Sequence, residues 1–470
     1  MSSCAIILFT KAPVPGLVKT RLIDRSGVSP SAKDVAELYK SLLVDTLIAA
    51  KQACDATGSR LIISFRPKET ETDIRNLVEP IFQDAMYLPQ EGTSVTERVR
   101  DAFEFAFSKD FDGVSLIPGD HPDLDGKTLA DAIVRTGNPS NPCIVLGPTF
   151  DGGAYLLGFN KKSFEKVEFS VEDTYRVCAD ILLKSKSAGI PCSFLENKND
   201  IDDWDDAQRF LGSSAGGKDS RTRLALRRFS GSEAGREQEK KKLSIIIPTL
   251  NEGKNIDGIL NSLSLQTEKN FEIIMVDGSS DDDTVSKAWS KVDKIAFVAN
   301  PSRKRQENTG GFGAKGKVLL FLHADSVVYP TLCECVIRAT ASDVVIGGSC
   351  HALFDGVGTR YGFLNAMRRC GDKLLGIRGI SSGFFVKRHV FISANGFREN
   401  VMEEAVDFQK RTRSWGKFVT LNQSIVSSSR RFAAKRAFIP TLAVWTTTVL
   451  LTYLGLHFTS IEKSLWNAIR

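Results

Sequence analysis

A chain of 470 residues has room for two or three domains. Its composition, 42% hydrophobic, 25% charged and 9% aromatic, is that of folded globular protein and excludes a disordered chain, a collagen-like fibre and a polytopic membrane protein. The net charge of +6 conceals an asymmetry: residues 1–212 carry 24 Lys and Arg against 32 Asp and Glu, and the remainder carries 38 against 24. A basic second half can meet phosphates, nucleic acid or an anionic membrane surface, or it can be an ordinary solvated face. The nine cysteines contain no CxxC pair, and Cys333 and Cys335 are too close for a common zinc pattern. They read as reduced thiols of an intracellular protein.

Ala5–Phe9 is apolar but short, and Lys11 and Pro13 follow at once, so the opening does not read as a signal peptide. It reads as a strand. Leu61–Phe65, Gly113–Ile117 and Ile144–Gly147 read likewise, with amphipathic stretches between them. Such alternation predicts an α/β fold with a mostly parallel central sheet flanked by helices. Ligands of such sheets gather outside the carboxyl ends of the strands. The loop after the first strand carries Lys11, Gly16, Lys19 and Arg21, a set able to cradle phosphates through backbone amides and cations. Asp120 follows the strand at 113–117. Asp151 and Gly152 follow the strand at 144–147, where the glycine lets backbone approach a ligand. Asp200, Asp202 and Asp203 close this half.

Residues 213–242 read as a flexible linker, opened by Gly and Ser and closed by a charged run from Arg236 to Lys242. It divides the chain into a first domain at 1–212 and a second at 243–432. The second opens like the first, with apolar runs at Leu243–Ile247, Phe271–Val276, Val318–Leu322 and Val344–Gly347. Asn251 and Glu252 follow the first run. Asp277 ends the second, where it can accept hydrogen bonds from a base or ribose. His323 and Asp325 follow the third, and a lone carboxylate there suits a divalent cation bridging a diphosphate. The segment 433–470 contains the apolar stretch Phe438–Phe458, behind Arg430, Arg431, Lys435 and Arg436. Its threonines and Pro440 favour a docked or interfacial helix over a membrane span.

The ordered set IIIPTLNEG, VDGSSDDDT, RQENTG, FLHAD, GFFVKR, an acidic MEE and SSRRF resembles the family 2 glycosyltransferases of the GT-A fold, from about Leu243 to Arg431. The resemblance implies that Asn251 and Glu252 line a nucleotide cleft and that Asp277 faces base and ribose. It also implies that Arg305, Gln306 and Asn308 approach sugar or phosphates and that Asp325 holds magnesium or manganese. Glu404, preceded by Glu403, stands at the position of the acceptor base; the alternative is that both glutamates cap the following helix. Within the family the stretch is similar to a subgroup associated with arsenosugar biosynthesis, whose paired arginines Arg430 and Arg431 match, as forks for phosphate or as a solvated basic face.

The first half, about residues 4–212, resembles transferase-like proteins related to phospholactate guanylyltransferase and the molybdenum-cofactor nucleotidyltransferases. That implies a second GT-A-like fold, with Lys11, Lys19 and Arg21 on a nucleoside triphosphate or diphosphate, and Asp120 and Asp202 on a divalent metal. The combined expectation is a cytoplasmic, bifunctional transferase of two such domains. Its partners would be a nucleotide-sugar or nucleoside triphosphate and a small-molecule or lipid-linked acceptor, with peripheral membrane contact through the C-terminal segment. Nucleic acid is disfavoured because the cations lack interleaved aromatics. The alternative is that one or both modules bind nucleotides or partners without turnover.

Overall fold

A computed structural model describes residues 3–23, 30–138, 143–198, 200–213, 217, 220–229, 241–354, 383–401 and 404–427. The chain divides into two compact units, Met1–Glu239 and Lys240–Arg470. In the first, β1 (Cys4–Lys11) is buried at every position from Cys4 to Leu8, as a strand covered on both faces requires. Around it lie β2 (Arg60–Arg66), β3 (Met86–Pro89), β4 (Gly113–Pro118), β5 (Ile144–Pro148), β6 (Ala154–Asn160) and β7 (Cys192–Phe194). They form one sheet in the order β3-β2-β1-β4-β6-β5-β7. Only β6 runs against its neighbours β4 and β5; the other pairings are parallel.

The second unit repeats this plan. Its strands are β8 (Leu243–Thr249), β9 (Phe271–Asp277), β10 (Lys294–Phe297), β11 (Val318–Phe321), β12 (Ser326–Val328), β13 (Val345–Phe354), β14 (Phe384–Lys387) and β15 (Lys417–Ser427). The sheet order is β10-β9-β8-β11-β14-β13-β15-β12. With β12 set aside as an added edge strand, both sheets read 3-2-1-4-6-5-7 in their own numbering. The sixth strand is antiparallel to both neighbours in each. Both units are therefore the expected α/β domains with mostly parallel sheets. Among the described residues no helix is long and apolar enough to cross a membrane. The segment 433–470, including the stretch read as a docked helix, lies outside the described residues.

The linker assignment needs a correction. Residues 213–242 include a helix, Arg221–Arg227, whose Leu226 is fully buried in a cluster with Val35, Leu38, Ile201 and Phe210 of the first unit. Asp45 accepts hydrogen bonds from the amides of Arg221 and Thr222 at the start of this helix. Arg223 donates to the carbonyls of Phe210, Leu211, Ser213 and Gly217. A Gly/Ser composition hid this because the few apolar residues that follow are enough to cover one helix face of a domain already folded.

Candidate functional site

In the first unit the carboxyl ends of β1 and β4 open on a cavity of about 540 Å³. Its wall carries five cations, Lys11, Lys19, Arg21, Arg66 and Arg98, and four carboxylates, Asp120, Asp151, Asp200 and Asp202. Gly16 shapes the loop after β1 by adopting φ +81°, a left-handed conformation that side chains resist. Lys19 also sits left-handed, at φ 42°, and turns its side chain inward. Its Nζ lies 2.7 Å from an Asp120 oxygen and 2.7 Å from an Asp202 oxygen, with only 6% of the side chain exposed. Arg21 reaches Asp202 at 3.4 Å from the exposed rim. Burial works against a charged Lys19, but Asp120, Asp202 and Asp200 outweigh it and hold the ammonium well above its ordinary value. Burial likewise opposes a charged Asp120, and Lys19 overrides it, leaving that carboxyl below its usual range.

Two sequence expectations change here. Asp120 and Asp202 do converge, as expected of metal ligands, but the point between them is held by Lys19. The two acids fit a cation, and the cation they hold is the ammonium, so a resident divalent metal does not fit this arrangement. Lys19 in turn neutralises the acids and is not presented to a phosphate. Asp151 keeps its place on the cavity wall, where it accepts hydrogen bonds from Thr149 Oγ1 at 2.6 Å and from the Gly153 amide. Gly152 beside it adopts φ +98°. Asp200 joins the group: burial, then the charges of Asp151, Asp202 and Asp206, push its carboxyl well above the ordinary range.

In the second unit, β9, β8 and β11 are adjacent and parallel, so the loops that follow them meet at one edge. The first two loops are laced together. Asn251, left-handed at φ 55°, donates its amide to Ser280 Oγ and accepts from the Asp281 amide through Oδ1. The Glu252 amide donates to Thr284 Oγ1 and that of Gly253 to Asp282. A Cβ on Gly253 would fall on the Asp283 carboxylate and force that side chain to turn away. Asp325 is half-buried in the turn after β11. One carboxylate beside a diphosphate is a donor set magnesium accepts. Among the described residues no group of three or more His, Cys, Asp or Glu forms a metal cage.

Three donor-site expectations are corrected. Asp277 is fully buried, and its carboxylate accepts from Thr249 Oγ1, Ser280 Oγ and the Ser280 amide; it builds the turn and does not face an open cleft. Gln306 is buried with Nε2 donating to the Thr249 and Val276 carbonyls, tying the helix Arg303–Gly313 to two strand ends. Asn308 pairs with the Phe397 backbone through both its amide atoms. Arg305 stays at the surface, in an ion pair with Glu399 at 2.7 Å. Arg430, Arg431 and Glu403 lie outside the described residues.

Glu404 opens the helix Glu404–Thr412 but is 2% exposed. Its Oε1 accepts from Arg303 Nη2 at 2.9 Å, and its Oε2 has no hydrogen-bond partner among the described residues. Arg303 also faces Glu307, one helical turn on, with Nε 3.6 Å from Oε1. Glu307 is completely buried, and neither of its oxygens has a hydrogen-bond partner among the described residues. Burial, followed by the charge of Glu404, pushes Glu307 well above the ordinary carboxylate range. Sequence reading missed Arg303 and Glu307; their i, i+4 spacing was the available signal.

This buried acid makes a stability prediction. The unfolded chain releases the Glu307 proton near pH 4.5, while the folded chain keeps it to a much higher pH. Stability therefore falls as pH rises through that window. Glu307→Met, similar in length and without the carboxyl, is expected to raise stability by about 1–2 kcal/mol at pH 7. The gain should shrink toward pH 4. Denaturant melts across pH 4–8 measure it, and a gain that does not vary with pH would place the effect in packing instead.

Residues 244–402, within the second unit, match the model of glycosyl transferase family 2. Residues 49–171 match a family described as an uncharacterized protein conserved in bacteria, DUF2064. Among curated proteins the chain is 37% identical over 98 residues to an uncharacterized glycosyltransferase of Haemophilus influenzae, covering 20% of this chain and 33% of that one. It is 33% identical over 116 residues to the uncharacterized glycosyltransferase YibD of Escherichia coli, covering 24% and 34%. The chain thus spans about a third of the length of these relatives. A crystal structure of a protein from Desulfovibrio desulfuricans, assigned as a nucleotide-diphospho-sugar transferase, matches at 27% identity and a TM-score of 0.41, covering 49% of this chain and 96% of that one.

Proposed function

We propose that the C-terminal unit transfers a sugar from a nucleoside-diphosphate donor to a small-molecule or lipid-linked acceptor. The observation that carries this reading is the meeting of Asn251, Glu252, the turn at 277–284 and Asp325 on neighbouring parallel strand ends, inside the stretch that matches the family 2 model. In this reading the laced loops form the floor on which the nucleotide lies. Asp277 and Gln306 hold that floor in shape without touching the nucleotide. Asp325 holds magnesium or manganese, which when bound offsets the charge of the departing diphosphate. Glu404 Oε2, without a hydrogen-bond partner among the described residues and with its sister oxygen fixed by Arg303, accepts the proton of the acceptor hydroxyl.

The N-terminal unit, with the same strand order and a charged cavity at the same sheet edge, serves as a companion nucleotidyl- or glycosyl-transferase. A second reading is favoured by one observation, the near-complete burial of Glu404: the C-terminal unit then binds a donor without transferring it.

The experiment is donor binding by calorimetry across a panel of nucleoside-diphosphate sugars, with and without manganese. Asp325→Ala is expected to weaken metal-dependent donor binding by about 10–100-fold, the scale of losing a metal-site group. Affinity without metal should hardly change. An unaltered metal response in the variant removes Asp325 from the site.

A further inference from the structure

The cavity of the N-terminal unit has two electrical halves. In one, Lys19 and Arg21 are neutralised by Asp120 and Asp202. In the other, Lys11, Arg66 and Arg98 line the same cavity, and none of the three forms an ion pair among the described residues. Lys11 and Arg66 end the adjacent parallel strands β1 and β2 and are partners in register, so their side chains leave the sheet edge side by side. Gln90 clamps that edge by donating to the Thr10 and Ser64 carbonyls.

Arg98 comes from the helix Val95–Ser108 and is 8% exposed. One terminal nitrogen donates to the carbonyls of Gly92 and Thr93, at 3.2 and 3.3 Å, which fixes the guanidinium plane. Its Nε is buried and has no hydrogen-bond partner among the described residues. A buried charged donor left unmatched is costly unless something outside the chain satisfies it. The three cations also repel one another: burial first, then Arg66, depresses both Lys11 and Arg98, against the smaller opposing pull of Asp120 on Lys11 and of Glu172 and Glu97 on Arg98. An anion bound among them would relieve both the repulsion and the unmatched donor of Arg98.

We propose that Lys11, Arg66 and Arg98 form an anion subsite that takes a phosphoryl group. Three cations and a planar donor fork suit a multiply charged tetrahedral oxyanion. The group has two sources of the same chemistry, the polyphosphate of a nucleotide or a phosphate on the second substrate. The subsite deepens the reading of this unit as a companion transferase, yet inorganic phosphate tests it without that reading.

The test uses the full chain and inorganic phosphate, followed by calorimetry or phosphorus NMR. Wild type is expected to bind phosphate saturably, and Arg66→Gln to weaken that binding at least tenfold. Arg98→Gln should do the same; because Arg98 also holds the loop at 92–93, Arg66→Gln and Lys11→Gln keep the test decisive if that variant fails to fold. Parallel titrations with a nucleoside triphosphate and with glycerol phosphate identify the source, since whichever ligand loses affinity in Arg66→Gln uses the subsite. Loss of neither, or phosphate binding as tight in Arg66→Gln and Lys11→Gln as in wild type, overturns the proposal. Phosphate binding that depends on Arg66 in a protein that binds no nucleotide would support the subsite and sink the transferase reading.

Discussion

Glu404→Gln is expected to slow sugar transfer on the order of 10²–10⁴-fold, the usual cost of losing a general base. The amide keeps the volume, and its oxygen can still accept from Arg303, which now holds Glu404 Oε1 at 2.9 Å. What it cannot do is take a proton at the position of Oε2. Donor affinity should change little, because in the proposed reading the acceptor hydroxyl, and not the nucleotide, meets this oxygen. Glu404→Asp draws the carboxylate back by one methylene and away from Arg303, so partial activity is expected. Glu403→Gln is the control and should cost far less. Steady-state rates with a verified acceptor decide the matter. Full turnover in Glu404→Gln would move the base elsewhere. A wild-type chain that binds the donor and never transfers it would favour the binding-only reading that the burial of Glu404 supports.

Lys19→Met should be the most destabilising single change among the cavity cations. It removes the ammonium from between Asp120 and Asp202 and leaves two carboxylates facing each other. Breaking a buried pair in this way costs about 3–5 kcal/mol. Because Asp202 is 39% exposed and can turn to water, about 3 kcal/mol is expected. For a unit of this size that lowers the melting temperature by about 6–12 °C. The loss should fade in acid. Asp120 titrates below its ordinary value in the folded state, so its stabilisation is present above the usual aspartate range and is lost as pH falls through the folded value. Lys19, raised well above its ordinary value, contributes fully up to about pH 10.5 and loses its contribution only beyond that. Magnesium or manganese should raise the melting temperature of Lys19→Met by occupying the vacated point, and leave wild type unmoved there. A wild-type cavity that gains as much from metal as the variant would mean that Lys19 is not the resident cation.

Much of the architecture was legible because short apolar runs of four to six residues, rich in β-branched residues and alternating with amphipathic stretches, favour buried strands. Ala5–Phe9, Leu61–Phe65, Gly113–Ile117 and Ile144–Gly147 all fall within observed strands, as do Leu243–Ile247 and Phe271–Val276. Short strands such as β3, β7, β10 and β12 did not announce themselves, since three or four residues show no period. The helix at 221–227 was hidden for a related reason: its single fully buried leucine gives no pattern, and its stability comes from Asp45 and from the carbonyls that Arg223 gathers.

Sequence alone determined which polar residues stand at the carboxyl ends of strands, because that follows from where each apolar run stops. It thereby brought Asn251, Glu252, Asp277 and Asp325 to one edge, and Lys11, Asp120 and Asp151 to another. What those side chains do once there was decided by tertiary structure. A strand-end aspartate can turn outward to a ligand or inward to a turn. The hydroxyls of Thr249, 28 residues earlier in the chain, and of Ser280, three residues later, turned Asp277 inward. An acid pair can hold a metal or a lysine, and the left-handed backbone at Lys19 delivered the lysine. Which cations stay unneutralised was equally invisible, since charge pairing depends on distances across the fold. Lys19 and Lys11 read alike in one loop, and only the folded cavity gives the first two carboxylates and leaves the second beside Arg66 and Arg98.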